Sequence, residues 1–214
     1  MIEKLSGPDL VELFLSKTIS YGPTDFIEVG CFEGSASKRI SKELPSCNVT
    51  AYEANPENYD HFKNDLSEYN INHIQKGVSN YNGEATFYRR ELPTKKKVGN
   101  NSLMQRVDNR YYANEVKIEC VTLDEAHYSE DKTFSIWIDA EGHAFQVLQG
   151  ADKVLSKTKY VFIEVEGIQF WKDQKLDSDI VDYLSGKGFI PVKRDTEMGD
   201  RQYNILFENG EMND

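Results

Sequence analysis

The chain has 214 residues, 36 acidic and 25 basic side chains, and a formal charge of −11 at pH 7. That length fits one domain with a sizeable buried core, and 39% hydrophobic with 12% aromatic residues is a globular composition. The acid excess argues against a general nucleic-acid binder, which needs a basic face to neutralise phosphates, and against an anionic membrane surface as main partner.

Asp9 to Ser20 predicts an amphipathic helix with Leu10, Leu13, Phe14 and Ile19 apolar, bounded by Gly7-Pro8 and Tyr21-Gly22-Pro23. Thr24 to Gly30 reads as a strand, Ser35 to Leu44 as a helix stopped by Pro45, and Asn48 to Glu53 as a second strand. Asn55-Pro56 opens a helix to about Tyr69, and Ile71 to Val78 is a third strand. This alternation predicts a parallel sheet with helical crossovers. Ala85 to Arg89 and Glu115 to Val121 then read as an inserted β pair. The polar loop joining them, Glu91 to Tyr112, contains Lys95-Lys96-Lys97 and Asn100-Asn101-Ser102, and loops this long are commonly functional. Alternation resumes with strand Thr133–Asp139, helix Ala144–Ser156, strand Tyr160–Val165, helix Ser178–Ser185 and strand Phe189–Val192. Gln202 to Phe207 pairs with that last strand as a hairpin. The expected architecture is α/β, Rossmann-like and doubly wound. Its seven-stranded sheet is mostly parallel, with an antiparallel C-terminal strand and an inserted β pair. Residues 1–22 form an N-terminal helix, read as a lid or homo-oligomer contact, 23–207 the main domain, and 208–214 a frayed polar tail.

Cys31, Cys47 and Cys120 are odd in number and lack zinc spacing, so they read as reduced thiols in a cytoplasmic setting. No apolar h-region follows Met1 and no run has membrane-spanning length, so neither a signal peptide nor a membrane anchor is expected.

Chemistry concentrates at three strand ends. The first is Glu28-Val29-Gly30-Cys31-Phe32-Glu33-Gly34-Ser35, an acid followed by two glycines entering a helix. Glycines there allow a tight turn and close backbone approach to a ligand. The second is Glu53, 23 residues after Gly30, the place and interval for a carboxylate that accepts from both hydroxyls of a ribose. The third, Asp139-Ala140-Glu141-Gly142-His143, sets two carboxylates and an imidazole at the carboxyl end of a central strand, where ligands of open α/β sheets bind. These groups can orient a substrate, hold a cation or accept a proton.

Four segments together resemble the FkbM-type methyltransferases: Glu28-Val29-Gly30 with Gly34, Tyr52-Glu53-Ala54-Asn55-Pro56, Ile138-Asp139-Ala140-Glu141-Gly142 and Val147-Leu148-Gln149-Gly150-Ala151. The resemblance covers roughly Phe26 to Phe207. It departs at Phe32, Trp137 and Ala144, where the family often has Asn, Lys and Glu; Trp137 then reads as an apolar wall for the acceptor. The resemblance implies a class I fold binding S-adenosylmethionine. Glu28, Gly30 and Gly34 would shape the methionine end, Glu53 hold the ribose, Asn55 border the adenosine, and Val78 and Ser79 lie near the adenine. Asp139, Glu141 and His143 would face the methyl acceptor, Asp139 also bordering the cofactor, with Asn101 and Ser102 closing over them.

The resemblance further implies O-methylation of a small molecule, here read as a sugar or glycan, with Tyr111, Tyr112, Trp137, Phe170 and Trp171 offering stacking area. The alternatives are a cofactor-binding module without catalysis, or a methyltransferase of another acceptor class. An alcohol acceptor must lose a proton, and two routes stay open. His143 has a pKa class suited to a base. Otherwise Asp139 and Glu164, with Glu141 or Glu166, share a divalent cation such as Mg²⁺.

Overall fold

A computed structural model describes residues 2–90, 99–108, 114–196 and 199–212. Lys95-Lys96-Lys97, Tyr111 and Tyr112 lie outside the described residues. The chain order is β1 (Glu3–Lys4), α1 (Gly7–Tyr21), β2 (Asp25–Val29), α2 (Ser35–Glu43), β3 (Asn48–Tyr52), α3 (Pro56–Leu66), β4 (Ile71–Ile74), β5 (Gly77–Val78), β6 (Gly83–Arg89) and β7 (Asn114–Val121). It continues with α4 (Leu123–His127), β8 (Phe134–Ile138), α5 (Ala144–Gln149), α6 (Asp152–Leu155), β9 (Thr158–Glu166), α7 (Asp177–Ser185), β10 (Phe189–Arg194) and β11 (Gln202–Asn209).

The main sheet has eight strands in the order β1-β10-β11-β9-β8-β2-β3-β4. Strands β4, β3, β2, β8 and β9 are mutually parallel, and β11 runs antiparallel between β9 and β10. The seven expected strands gain an edge partner, because Glu3–Lys4 pairs parallel with Lys193–Arg194. Strand β2 is buried along its whole length, Asp25 and Glu28 included, because both faces of the sheet are covered.

Three elements differ from the sequence reading. The third strand divides: Ile71–Ile74 stays in the main sheet, whereas Gly77–Val78 joins β6 and β7 in a separate three-stranded sheet. The helix expected over Ala144–Ser156 breaks at Gly150, whose position permits no side chain: a Cβ there would lie 2.1 Å from the Ser79 carbonyl oxygen. The tail begins later than position 208, because β11 runs to Asn209 and Glu208 pairs with Lys17 and Lys159.

Helix α1 starts with Ser6 as N-cap, its hydroxyl accepting from the Asp9 amide, and ends on Gly22 in the left-handed conformation. Its Leu10, Phe14 and Leu15 are buried with Phe26, Ile40 and Phe162. Trp137 belongs to this layer. Its ring stacks on Phe162 at 4.0 Å and meets Phe14 edge-on at 5.8 Å. Strand alternation turns Trp137 to the α1 face while Ile136 and Ile138 enter the core on the other side. It is therefore core packing and not a wall for an acceptor. Ala144 is likewise buried in the opposite core. No helix among the described residues is long and apolar enough to cross a membrane.

Phe14 is fully buried at the centre of this aromatic layer, its ring 5.3 Å from Phe162. Phe14→Ala is expected to cost about 3–5 kcal/mol of unfolding free energy, the range for emptying a large core site, measured by denaturant titration. A loss under about 1 kcal/mol would show that α1 is peripheral to the core.

Candidate active site

The sheet reverses its winding between β2 and β8, and a cleft opens there at the carboxyl ends of the strands. It encloses about 770 Å³, its solvent-open part included. Gly30, Phe32, Glu53, Val78, Asn101, Ser102, Asp139, Glu141 and His143 are among its walls.

The two central strand ends are joined by backbone. The Asp139 amide donates to the Val29 carbonyl at 2.9 Å. Gly30 has φ 77°, and a Cβ there would lie 1.9 Å from the Asp139 carbonyl oxygen. Glycine is thus needed for its backbone angle and for a close approach to the next strand end. Gly34 does not line the cleft; the space its missing side chain leaves faces Leu66, at 2.6 Å. Glu28 also stands behind the wall, accepting from the Ser37 amide at 2.9 Å and from the Ser37 hydroxyl, which anchors the first turn of α2.

Glu53 lines the cleft and braces its loops. One carboxylate oxygen accepts from the Phe32 amide at 3.0 Å and the other from the Asn55 amide at 2.7 Å. Each oxygen retains a further lone pair. Asn55 itself caps α3, its side-chain oxygen accepting from the Glu57 amide, and it is not among the cleft walls. Phe32, in the left-handed region at φ 48°, packs edge-on against Phe62.

Ser79 is buried beside the cleft and bonds through its hydroxyl to His143 Nε2 at 3.0 Å. Burial holds the His143 pKa down at about 4, so the imidazole is neutral at physiological pH. His143 thus sits against the residue assigned to the adenine side.

Asp139, Glu141 and Glu164 converge, with one ligand atom from each within 4.8 Å of the others. Glu141 has φ 39°, a left-handed angle disfavoured for a residue with a side chain. Residues 99–108 hold it there: Ser102 Oγ donates to the Glu141 carbonyl at 2.6 Å and Asn100 Nδ2 to its carboxylate at 3.0 Å. Gly142 (φ 81°) packs on the indole of Trp171, which is fully buried and gives a Cβ no room. Trp171 is therefore a support beneath the Asp139–His143 turn. Glu164 accepts from Gln202 at 2.9 Å.

Burial raises the carboxylates of this region: Glu28, Glu53 and Glu166 to about 7, Glu141 to about 8 and Glu164 well above the ordinary range. The Asp139 charge adds to each of these shifts, and Glu141 and Glu166 push Glu164 higher still.

Asn100, Gln202, Lys76 and Phe87 were not expected at the site from sequence, and Trp171, expected to offer stacking area to the acceptor, is instead a fully buried support. None sits at a parallel strand end, and no local pattern marks them. Only Asn100 carried a hint, as part of the polar run Asn100-Asn101-Ser102 in the long loop.

The sequence matches the model of the methyltransferase FkbM domain over residues 28–191. This chain belongs to the FkbM methyltransferase family. Its fold is similar to that of an FkbM methyltransferase from Methylobacillus flagellatus KT, at TM-score 0.58 and 15% identity over 87% of this chain and 44% of that one. The chain thus spans less than half the length of that structure. A precorrin-6y C5,15-methyltransferase from Geobacter metallireducens GS-15 aligns at TM-score 0.51 and 12% identity, covering 97% of this chain and 93% of the other. An S-adenosylmethionine-dependent methyltransferase from Clostridium acetobutylicum ATCC 824 aligns at TM-score 0.51 and 8% identity, over 96% and 93%. Among curated proteins none matches the sequence.

Carboxylates whose folded pKa is raised stabilise the fold below their unfolded pKa near 4.5 and lose that contribution as pH rises through 7–8. The buried histidines act in the opposite sense, but their contribution is complete above about 6.5. The ligand-free chain is therefore expected to melt at a lower temperature at pH 8.5 than at pH 6.5, and Glu53→Gln to reduce that difference. A melting temperature that is flat or rising over this interval would contradict the raised carboxylates.

Proposed function

We propose that the chain is an S-adenosylmethionine-dependent O-methyltransferase acting on a hydroxyl of a sugar, glycan or other small molecule. One observation carries this reading: a single cleft touches both Glu53 at the end of β3 and Asp139 with Glu141 beyond β8. A group that binds a diol and groups that can receive a proton thus share one cavity, in a member of a methyltransferase family.

The donor set suits the cofactor. Glu53 lines the cleft with a carboxylate already oriented by two backbone amides, the chemistry that accepts from paired ribose hydroxyls. Val78 lines the neighbouring wall, and Ser79 with neutral His143 supplies polar atoms on the adenine side. Asp139 at the end of β8 would place a carboxylate where a sulfonium is stabilised. When bound, S-adenosylmethionine supplies a methyl group already activated as a sulfonium. What remains for the protein is to align the acceptor, exclude water and take up its proton.

Glu141 suits the last task. Its raised pKa, about 8, gives a carboxylate more basic than usual, and Ser102 and Asn100 fix its backbone and side chain. His143 is less basic and is engaged by Ser79, so its contribution is assigned to the cofactor side.

A divalent cation is a second route, supported by the convergence of Asp139, Glu141 and Glu164. Three hard oxygen donors suit Mg²⁺, and such an ion would lower the pKa of an acceptor hydroxyl.

Calorimetry with S-adenosylhomocysteine is expected to show binding, with Glu53→Ala weakening it by about 1–3 kcal/mol, the cost of lost charge-assisted hydrogen bonds. Asp139→Ala should leave that affinity less affected while abolishing transfer of labelled methyl to an acceptor panel. Equal loss of cofactor binding in both variants would overturn the placement, and no binding at millimolar ligand would overturn the enzyme. Full turnover in excess chelator would remove the cation.

A further inference from the structure

Phe32 takes a backbone conformation that bulky residues avoid. Its φ of 48° lies in the left-handed region, which glycine and asparagine enter more readily. Such an angle persists only where neighbouring groups over-determine it, and two do so here. The Phe32 amide donates to one Glu53 oxygen at 3.0 Å, and the ring meets Phe62 edge-on with centroids 5.0 Å apart. Both partners are tied to α3: the Asn55 amide at its start donates to the second Glu53 oxygen at 2.7 Å, and Phe62 lies within the helix. Phe32 nevertheless stays half-buried and lines the cleft.

Its place is between the two groups assigned to the cofactor. Gly30, two residues earlier, abuts the Asp139 carbonyl, and the Phe32 amide itself is on Glu53. A cofactor with its ribose at Glu53 and its sulfur toward Asp139 crosses residues 30–32 on the way. An edge-on contact covers at most one face of the Phe32 ring, so Phe62 leaves the other face uncovered.

An aromatic face carries negative charge density and attracts a cation, most strongly where water is excluded. A sulfonium is such a cation, whereas the thioether that remains once the methyl group has left is neutral. An aromatic ring at this place therefore tells the two forms of the cofactor apart. A purely aliphatic side chain would hold both alike.

We propose that Phe32 selects the charged form of the cofactor: its ring packs against the carbons around the sulfonium of S-adenosylmethionine and holds the neutral product less tightly. The inference rests on the cleft being a methyl-transfer site, and it adds a means of exchanging spent cofactor for fresh.

The test is calorimetry on the full chain with S-adenosylmethionine, S-adenosylhomocysteine and sinefungin, an analogue with an ammonium near the sulfonium position. Phe32→Leu removes the ring and keeps an apolar side chain, and Phe32→Asn removes it while suiting the left-handed angle. In both variants the affinity for S-adenosylmethionine and sinefungin is expected to fall about threefold or more beyond any change for S-adenosylhomocysteine. Phe32→Tyr should keep the wild-type ratio. Each ratio is taken within one variant, so partial unfolding scales the affinities alike and cancels. An unchanged ratio in either Phe32→Leu or Phe32→Asn would overturn the proposal and leave methyl transfer standing. Absence of binding by all three ligands to the wild-type chain would instead overturn methyl transfer.

Discussion

The site depends on the pairing of β2 with β8. Val29 is in register with Ile138, and one amide from Asp139 to the Val29 carbonyl brings the two strand ends together. Gly30 allows the approach, since any side chain there would occupy the space of the Asp139 carbonyl. A shift of one residue in this pairing would turn every side chain of one strand to the opposite face. Trp137 would leave the α1 layer, and Asp139 would leave the cleft. The aromatic core around Phe14 and the carboxylates of the cleft are thus set by the same register, one on each side of it.

Electrostatics follows from that geometry. The winding reversal gathers Glu53, Asp139, Glu141 and Glu164 at one end of the sheet, where Glu53 is buried and the other three are half-buried. Neighbouring like charges and burial raise the pKa values of Glu53, Glu141 and Glu164. Amides from Phe32, Asn55, Asn100 and Gln202 orient these groups. The strap 99–108 is the device that makes this possible: it is bonded to Tyr88 at one end and to Phe170 and Lys172 at the other, and so crosses from the small sheet to the loop beyond β9.

Much of the fold was legible in sequence because strand–helix alternation is local. Each crossover unit carries its own apolar runs, glycines and caps, as in Asn55-Pro56 opening α3. Of the residues expected at the cofactor side, Gly30 and Glu53 fall on the cleft because each follows a consecutive parallel strand, and Val78 reaches it from the separate three-stranded sheet. Glu28, Gly34, Asn55 and Ser79 share that neighbourhood, but their side chains or close contacts face inward to brace it. Trp137 went astray for a related reason: its chain position is next to the site, while strand alternation points it to the other face.

The sequence by itself determined the succession of strands and helices along the chain, the family and which strand ends carry chemistry, because these properties reside in short contiguous segments. Only the tertiary structure decided the direction of each side chain, the raised pKa values and the convergence of Gly142 with Trp171, Glu164 with Gln202 and Asn100 with Glu141. Those partners are separated by up to 41 positions in the chain. Their meeting is set by register, burial and a cross-linked strap, and none of these leaves a local mark in the amino-acid order.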